Sequence, residues 1–288
     1  MKLEKHMNVL IVGLGLIGGS YAKALSAQGY TVSAIDRDRA AIDYALQNGI
    51  IADGAAEANP TIVGKADVVI FALYPRVFLE WIKTHQALFK SGAILTDVTG
   101  VKGCVVHEVQ SLLRADLEFI AAHPMAGREK SGVENSDPAI FKNANYVITP
   151  TEKNTEEAIA LCRDLGEQLG FARISTLSPE EHDEIIAFVS QLTHCIAICL
   201  MTCQQREHLE DYTGDSFRDL TRIARLNDEM WSELFLLNKD ALLTEMRRFE
   251  EELALLRARL EADDREGLRE MMRASTARRA LFDKRKEE

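Results

Sequence analysis

The chain has 288 residues, of which 47% are hydrophobic and 27% charged, and its formal net charge is −11. This balance excludes wholesale disorder, and the acidic charge excludes a general nucleic-acid binder, which needs a basic surface. The length exceeds that of a usual single-core domain, so we predict two domains.

The first 176 residues alternate short apolar runs with helical patterns. Strands are predicted at Val9–Val12, Thr31–Ile35, Val68–Leu73, Ile94–Thr96, Glu118–Ala121, Asn145–Thr149 and near Phe171–Ser175. Strands of this kind, separated by helices, predict an α/β Rossmann-type domain with a doubly wound, mostly parallel sheet that continues to about residue 176. No long apolar segment precedes the first strand, so we predict no signal peptide and a cytoplasmic location.

A glycine-rich turn follows the first strand. The motif GxGxxG is formed by Gly13, Leu14, Gly15, Leu16, Ile17 and Gly18. Between a strand and a helix it predicts dinucleotide binding. Gly13 permits the tight turn, Gly15 lets the backbone approach a pyrophosphate, and Gly18 lets the helix lie close to the strand. The helix N-terminus then faces the phosphate charge.

The second predicted strand ends at Asp36, 18 residues after Gly18. A carboxylate at this position accepts hydrogen bonds from both ribose hydroxyls and repels a 2′-phosphate. The sequence therefore predicts NAD in preference to NADP. Arg37, the next residue, would soften that preference.

Two later strand ends carry candidate catalytic groups, because open α/β sheets bind ligands beyond the carboxyl ends of their strands. Ile94–Thr96 leads into the segment DVTGVK, and Glu118–Ala121 leads into a loop that begins HPMAGREKSG. His123 in this loop suits proton transfer near neutral pH. The spacing alone favours equally a loop histidine that bonds backbone groups.

Residues 177–288 contain few helix breakers, namely Gly214, Gly267 and Pro179. This composition predicts an all-α domain over 177–288, after a cofactor-binding domain over 1–176. Its start, SPEE at Ser178, is a capping box with proline at the first helical position. Near the end, apolar residues spaced alternately by four and three predict a stripe that packs on a partner helix. The stripe contains Leu242, Met246, Phe249, Leu253, Leu256 and Leu260.

Residues Ile185–Cys203 contain no Asp, Glu, Lys or Arg over 19 positions, which is close to the length of a membrane span. The polar residues within the segment favour a buried helix, and we predict no membrane association. Three of the five cysteines lie on one face of it, beside His194. Without a CxxC pair we interpret them as small buried hydrophobic residues and predict no metal.

The segments GLGLIGGS, DVTGVK, HPMAGREKSG and FRDLTRIA, with MW shortly after, occur in this order along nearly the whole chain. In them the chain resembles the prephenate/arogenate dehydrogenase family of tyrosine biosynthesis. The resemblance implies oxidative decarboxylation of prephenate to 4-hydroxyphenylpyruvate with reduction of NAD. A preference for arogenate, as in cyclohexadienyl dehydrogenases, stays open, because the two substrates differ only at a keto or amino group. The resemblance also implies a homodimer formed through the helical domain.

The same resemblance implies roles for single residues. His123 would bond the substrate's ring hydroxyl and assist its deprotonation. The family usually has a serine where this chain has Gly100, so Thr99 or water would supply that hydroxyl. Arg222 would bind the substrate carboxylate. His194 would be a second histidine that contacts the substrate, and Trp231 would be an aromatic residue of the pocket. Glu129 and Asp219 match acidic residues that are proposed to gate the pocket between subunits.

Two other functional classes remain as alternatives. A β-hydroxyacid dehydrogenase would share the first domain, but it would use a lysine on a second-domain helix, and Ile185–Cys203 has none. A nonenzymatic NAD-dependent sensor would explain the glycine turn but would leave His123 and Arg222 without a role.

Overall fold

A computed structural model describes residues 1–128 and 130–282. The strands are β1 Asn8–Val12, β2 Thr31–Ile35, β3 Asp53–Ala55, β4 Val68–Phe71, β5 Ile94–Asp97, β6 Glu118–Phe119, β7 Ala121–Met125, β8 Asn145–Thr149 and β9 Arg173–Thr176. The helices among the first 180 residues are α1 Leu16–Ala27, α2 Arg39–Gln47, α3 Pro60–Val63, α4 Pro75–His85, α5 Gly103–Leu112 and α6 Glu156–Leu169. The later helices are α7 Pro179–Ile186, α8 Thr193–Thr202, α9 Asp215–Thr221, α10 Asp228–Leu237, α11 Lys239–Glu261 and α12 Arg265–Arg279.

The first six strands form one parallel sheet in the order β3-β2-β1-β4-β5-β6. Its central strands are buried on both faces, as the apolar run Val68–Phe71 illustrates. One buried cluster, which contains Tyr21 and Phe141, packs on one face, and a second, which contains Phe71 and Phe78, packs on the other. The predicted α/β Rossmann-type architecture, followed by helices, is confirmed.

The predicted continuation of this sheet to residue 176 is wrong. The stretch Glu118–Ala121 divides into β6, which pairs with β5, and β7, which pairs antiparallel with β8. A separate three-stranded sheet, β7-β8-β9, results. The chain turns away where the amide of Ala122 bonds the carboxylate of Asp97 at 3.1 Å instead of continuing the backbone ladder of β5.

The helical part begins as predicted. The Ser178 hydroxyl accepts from the Glu181 amide, the Glu181 carboxylate accepts from the Ser178 amide, and Pro179 occupies the first turn of α7. The predicted long helix, however, is interrupted by a π-helical segment at Ala187–Leu192 between α7 and α8.

Within the described residues, Pro179–Thr202 is the one helical stretch that is long and apolar enough to cross a membrane by length and composition. Only 28% of its most apolar window is buried, so the expected buried helix has a large exposed apolar face in the single chain. Phe188, for example, is 54% exposed. Three polar residues of the same stretch, His182, Asp183 and Gln191, are buried.

Residues Met1–Lys239 form one compact unit, and residues 240–282 form a second. The second unit consists mainly of α11 and α12. The predicted apolar stripe lies on α11, where Leu253 is 54% and Leu260 59% exposed. The chain changes from sheets to helices near the predicted domain boundary after residue 176. That this point divides two domains stays a prediction.

Candidate active site

The glycine turn has the geometry that its motif predicts. Gly13 adopts a positive φ of 100°, and a Cβ there would lie 2.4 Å from the Ala72 carbonyl oxygen. A Cβ on Gly18 would lie 1.9 Å from the Gly13 carbonyl oxygen, so only glycine permits this approach of α1 to β1. Gly15, in contrast, is exposed, and a Cβ there would meet nothing within 4 Å. It precedes α1 without a side-chain cap, which leaves room for an anionic group at the helix N-terminus.

Asp36 lies at the end of β2, beside this turn. Its carboxylate accepts hydrogen bonds from the Leu14 amide at 2.5 Å and from the Asp38 amide at 2.8 Å. These bonds fix the side chain against the glycine turn, and each carboxylate oxygen keeps a further lone pair for a ligand hydroxyl. Arg37 is exposed.

A buried ion pair lies under the carboxyl end of β5. The Lys102 ammonium is 2.6 Å from the Asp97 carboxylate, and both side chains are fully buried. Lys102 also donates to the Ala122 carbonyl at 2.7 Å. Burial lowers the pKa of Lys102, and Asp97 opposes that shift. The pair ties the DVTGVK segment to β7.

Thr99 belongs to this buried network. Its hydroxyl bonds the Asp97 carboxylate and the Val101 carbonyl, and it accepts from Lys102 at 3.3 Å. The Thr99 hydroxyl is thus held by buried partners, and its substitution, or that of water, for the family's serine stays a prediction.

Gly100 lies next to the catalytic candidate. A Cβ at Gly100 would be 3.8 Å from Cε1 of His123 and 3.6 Å from a methyl group of Leu234 on α10. Both distances are ordinary van der Waals contacts, so the space beside His123 that a serine would occupy is present in this chain.

His123 lies within strand β7, opposite Val147, and not in a loop as predicted. The difference follows from the divergence of β7 from β6, which no local pattern signals. The imidazole is half-buried, and its Nδ1 is 2.9 Å from Nε2 of His182. Burial, followed by the proximity of His182 and Lys102, holds the pKa of His123 well below its ordinary value. The ring is therefore a neutral base at pH 7.

Sequence reasoning missed His182 and Asp183, which lie in α7 just after the capping box. Nδ1 of His182 is 2.8 Å from the Asp183 carboxylate. That carboxylate also accepts the amides of Lys102 and Gly103, each at 2.8 Å, at the start of α5. No motif contains these residues, and the packing of α7 on α5 and β8 brings them to His123.

The structure brings together two of the predicted substrate residues. The rings of His194 on α8 and Trp231 on α10 lie 3.8 Å apart between centroids, with an interplanar angle of 31°. Nδ1 of His194 is 2.8 Å from the Ser190 carbonyl oxygen, one turn earlier in the π-helical segment. Trp231 and Leu234 are three residues apart on α10, so they lie on the same face of this helix. Leu234 is also the residue of α10 that contacts the position of a Gly100 Cβ.

Two further predicted residues, Arg222 and Asp219, follow α8 in the chain. Arg222 is exposed and begins the 3-10 turn Arg222–Ala224, which packs against α8. Arg218, one turn before Arg222, pairs with Asp215 at 2.8 Å, and both side chains are exposed. Asp219 is exposed on α9, and Glu129 lies outside the described residues.

Comparison with known proteins identifies two domains in this chain. Residues 21–175 match the profile "Prephenate dehydrogenase, nucleotide-binding domain", and residues 178–274 match "Prephenate dehydrogenase, dimerization domain". The two profiles together span most of the chain.

Individual relatives are similar over most of their lengths. The chain is 31% identical to a prephenate dehydrogenase of Bacillus subtilis over 269 residues, which are 90% of this chain and 72% of the relative. It is 31% identical to a cyclohexadienyl dehydrogenase of Zymomonas mobilis, over 98% of this chain and 97% of the relative. The crystal structure of prephenate dehydrogenase from A. aeolicus in complex with hydroxyphenyl propionate and NAD⁺ superposes with a TM-score of 0.89 at 31% identity, covering 98% of this chain and 100% of that one.

Proposed function

The chain belongs to the prephenate dehydrogenase family, and on that premise we propose that it converts prephenate to 4-hydroxyphenylpyruvate with reduction of NAD⁺. The observation that carries the proposal is the position of His123. Its half-buried imidazole is neutral, lies beside Gly100 and is held through Nδ1 by His182. Its other ring nitrogen serves as the base for the substrate hydroxyl.

The chemistry requires a base and an aligned substrate, because formation of an aromatic ring drives the reaction. His123 accepts the proton of the C4 hydroxyl as the C4–H bond gives up its electron pair as hydride. The bond between C1 and the ring carboxylate breaks, CO₂ leaves, and its electron pair completes the aromatic ring. The proton then returns to the phenol oxygen. The chain's task is to hold C4 and the hydroxyl in line with His123.

The positive charge of the protein is best placed near the side-chain carboxylate of the substrate. Tight binding of the departing ring carboxylate would oppose its loss. We assign Arg222 to the side-chain carboxylate, since a guanidinium gives bidentate and permanently charged recognition. His194 and Trp231, stacked on each other, form the neighbouring wall.

The glycine turn fits a dinucleotide. The open space at Gly15, the close approach of Gly13 to Gly18 and the uncapped start of α1 accommodate a pyrophosphate. When bound there, NAD⁺ supplies the acceptor for the hydride that leaves C4. Asp36 holds the ribose hydroxyls, with Leu14, Leu16 and Ile17 completing the turn and Arg37 at its rim.

Replacing Asp36 with serine is expected to raise KM for NAD⁺ by at least about tenfold, the effect of losing charge-assisted bonds to the ribose. KM for NADP⁺ should fall, because the repulsion of its phosphate is removed. Steady-state kinetics with both cofactors measure the change. Asp38→Ser is the matched control, since Asp38 caps α2 through the Ala40 amide and should leave both constants within about twofold. An unchanged cofactor preference in Asp36→Ser would remove this residue from the ribose site.

A second candidate substrate is arogenate, favoured by the similarity to a cyclohexadienyl dehydrogenase over nearly the whole chain. Steady-state formation of NADH from prephenate and from arogenate decides between them. We expect the higher kcat/KM with prephenate. A higher value with arogenate would reassign the substrate, and no NADH from either would reject the proposed function.

We propose that the chain acts in the cytoplasm as a homodimer. The exposed apolar face of Pro179–Thr202 lies within residues 178–274, which match the dimerization-domain profile. A second copy would cover this face, and that is why we propose no membrane association for it. Residues 177–288 then form the dimerization domain and 1–176 the cofactor domain, and we assign Asp219 and Glu129 as gating residues.

A further inference from the structure

We propose that His182 is a positioning residue for the reaction, which fixes His123 in the tautomer that presents an unprotonated Nε2 to the substrate hydroxyl. The inference rests on the proposed role of His123 as the base. It concerns a residue for which neither the sequence motifs nor the proposed mechanism has given a role.

His123, His182 and Asp183 form a chain of hydrogen bonds, and the Asp183 carboxylate at its end fixes which atom donates in each bond. Because the Asp183 carboxylate only accepts, Nδ1 of His182 donates to it across 2.8 Å. A neutral His182 then has a lone pair on Nε2 and accepts there. Nδ1 of His123, 2.9 Å away, must therefore donate. The proton of neutral His123 is thus on Nδ1, and Nε2 carries the basic lone pair.

His182 remains neutral in this arrangement. Its side chain is fully buried, and burial lowers its pKa, although the bond to Asp183 opposes the shift. A protonated His182 would donate through Nε2 and would force the opposite tautomer on His123.

Asp183 is itself fixed by the start of α5. One carboxylate oxygen accepts the Lys102 amide, and the other accepts the Gly103 amide, both at 2.8 Å. Lys102 provides no side-chain cap for this helix, so Asp183 caps it from α7. A carboxylate is well suited to this position, because a helix N-terminus favours negative charge.

This arrangement matters because Gly100 offers no side chain to hold the ring of His123. The position of a Cβ there is 3.8 Å from the ring, yet the glycine cannot form a hydrogen bond with it through a side chain. Thr99 is occupied by Asp97 and Val101. His182 is therefore the described side chain that orients the base, and it also accepts a stronger bond when His123 becomes protonated.

The kinetic test compares two variants of His182 in the full-length protein. His182→Leu is expected to lower kcat by about 10–100-fold, the usual effect of losing an orienting partner, with KM for prephenate within about threefold. His182→Gln restores an acceptor near the position of Nε2, and its kcat should be at least about fivefold higher than that of His182→Leu. The matched control is His107→Leu, which removes an exposed bond of 2.7 Å to Glu180 between the same two helices, α5 and α7. It should leave kcat within about twofold.

A spectroscopic readout separates positioning from stability and from activity. Long-range ¹H–¹⁵N correlation spectra of the ¹⁵N-labelled wild-type protein at pH 7.5 should show His123 protonated on Nδ1 and unprotonated on Nε2, with His123→Asn identifying the signals. In His182→Leu the preference for Nδ1 should be lost. A wild-type His123 protonated on Nε2, or kcat within threefold of wild type in a folded His182→Leu, overturns the proposal. A wild-type protein that shows the Nδ1 tautomer but makes no NADH would leave the tautomer assignment standing and reject the proposed function.

Discussion

Replacing His123 with asparagine is expected to lower kcat by about 10²–10⁴-fold, the contribution of a positioned general base. KM for prephenate should stay within about threefold. The asparagine amide can still donate toward His182, so the local structure is retained while the basic lone pair is lost. A matched substitution, His107→Asn, changes an exposed histidine on α5 and should leave kcat unchanged. An unchanged kcat in His123→Asn would exclude this residue as the base.

The pH profile gives the same test a second readout. Only neutral His123 accepts a proton, so activity is lost as the pH falls through its pKa. Because burial, His182 and Lys102 lower that pKa, kcat/KM should stay level from pH 8 down to the ordinary histidine range and decline only below it. This acidic limb should disappear in His123→Asn.

Replacing Arg222 with alanine is expected to raise KM for prephenate by at least about thirtyfold. The range follows from the ~2–5 kcal/mol lost when one partner is removed from a charge pair that substrate binding would desolvate. The carboxylate that Arg222 is assigned to bind occurs in both candidate substrates, so KM for arogenate should rise as much. Initial rates at varied substrate concentration measure both effects, and kcat should change little by comparison.

Two further variants define what Arg222 contributes. Arg222→Lys keeps the charge but loses the bidentate fork, so its KM should be intermediate. Arg218→Ala, one turn earlier on α9, removes only an exposed pair with Asp215 and should leave KM within about twofold. A rise in KM below about tenfold in Arg222→Ala would remove this residue from the substrate pocket.

Features that depend on local geometry could be predicted from the sequence. The glycine turn requires a positive φ at Gly13 and contact between Gly13 and Gly18, and these requirements are visible in the motif itself. The capping box at Ser178 is equally local. Parallel strands with two buried faces are apolar throughout, which predicted the sheet from composition and order.

Features that depend on long-range pairing could not be predicted. The apolar run before His123 fits β6 and β7 equally well, and the division into two sheets depends on long-range pairing of β6 with β5 and of β7 with β8. His182 lies 59 residues from His123, on a helix that appeared important for its cap alone. The π-helical segment in the apolar stretch also depends on packing, since Gln191 bonds the Leu234 carbonyl and accepts from Asn238.

Gly100, beside His123, is a position at which this chain departs from the family pattern. Thr99 adjoins Gly100 in sequence and offers the right functional group. Its side chain nevertheless contacts the buried Asp97–Lys102 pair, which no local sequence pattern signals. We propose His182 instead as the group that orients His123.

The most direct measurement is the product balance of the wild-type protein with prephenate and NAD⁺. The proposed function predicts equal amounts of NADH, CO₂ and 4-hydroxyphenylpyruvate, with none of the three formed at a comparable rate by His123→Asn. NADH without release of CO₂ would indicate a simple alcohol oxidation, as in a β-hydroxyacid dehydrogenase. That result, or no NADH from prephenate, would contradict the assignment of this chain as a prephenate dehydrogenase.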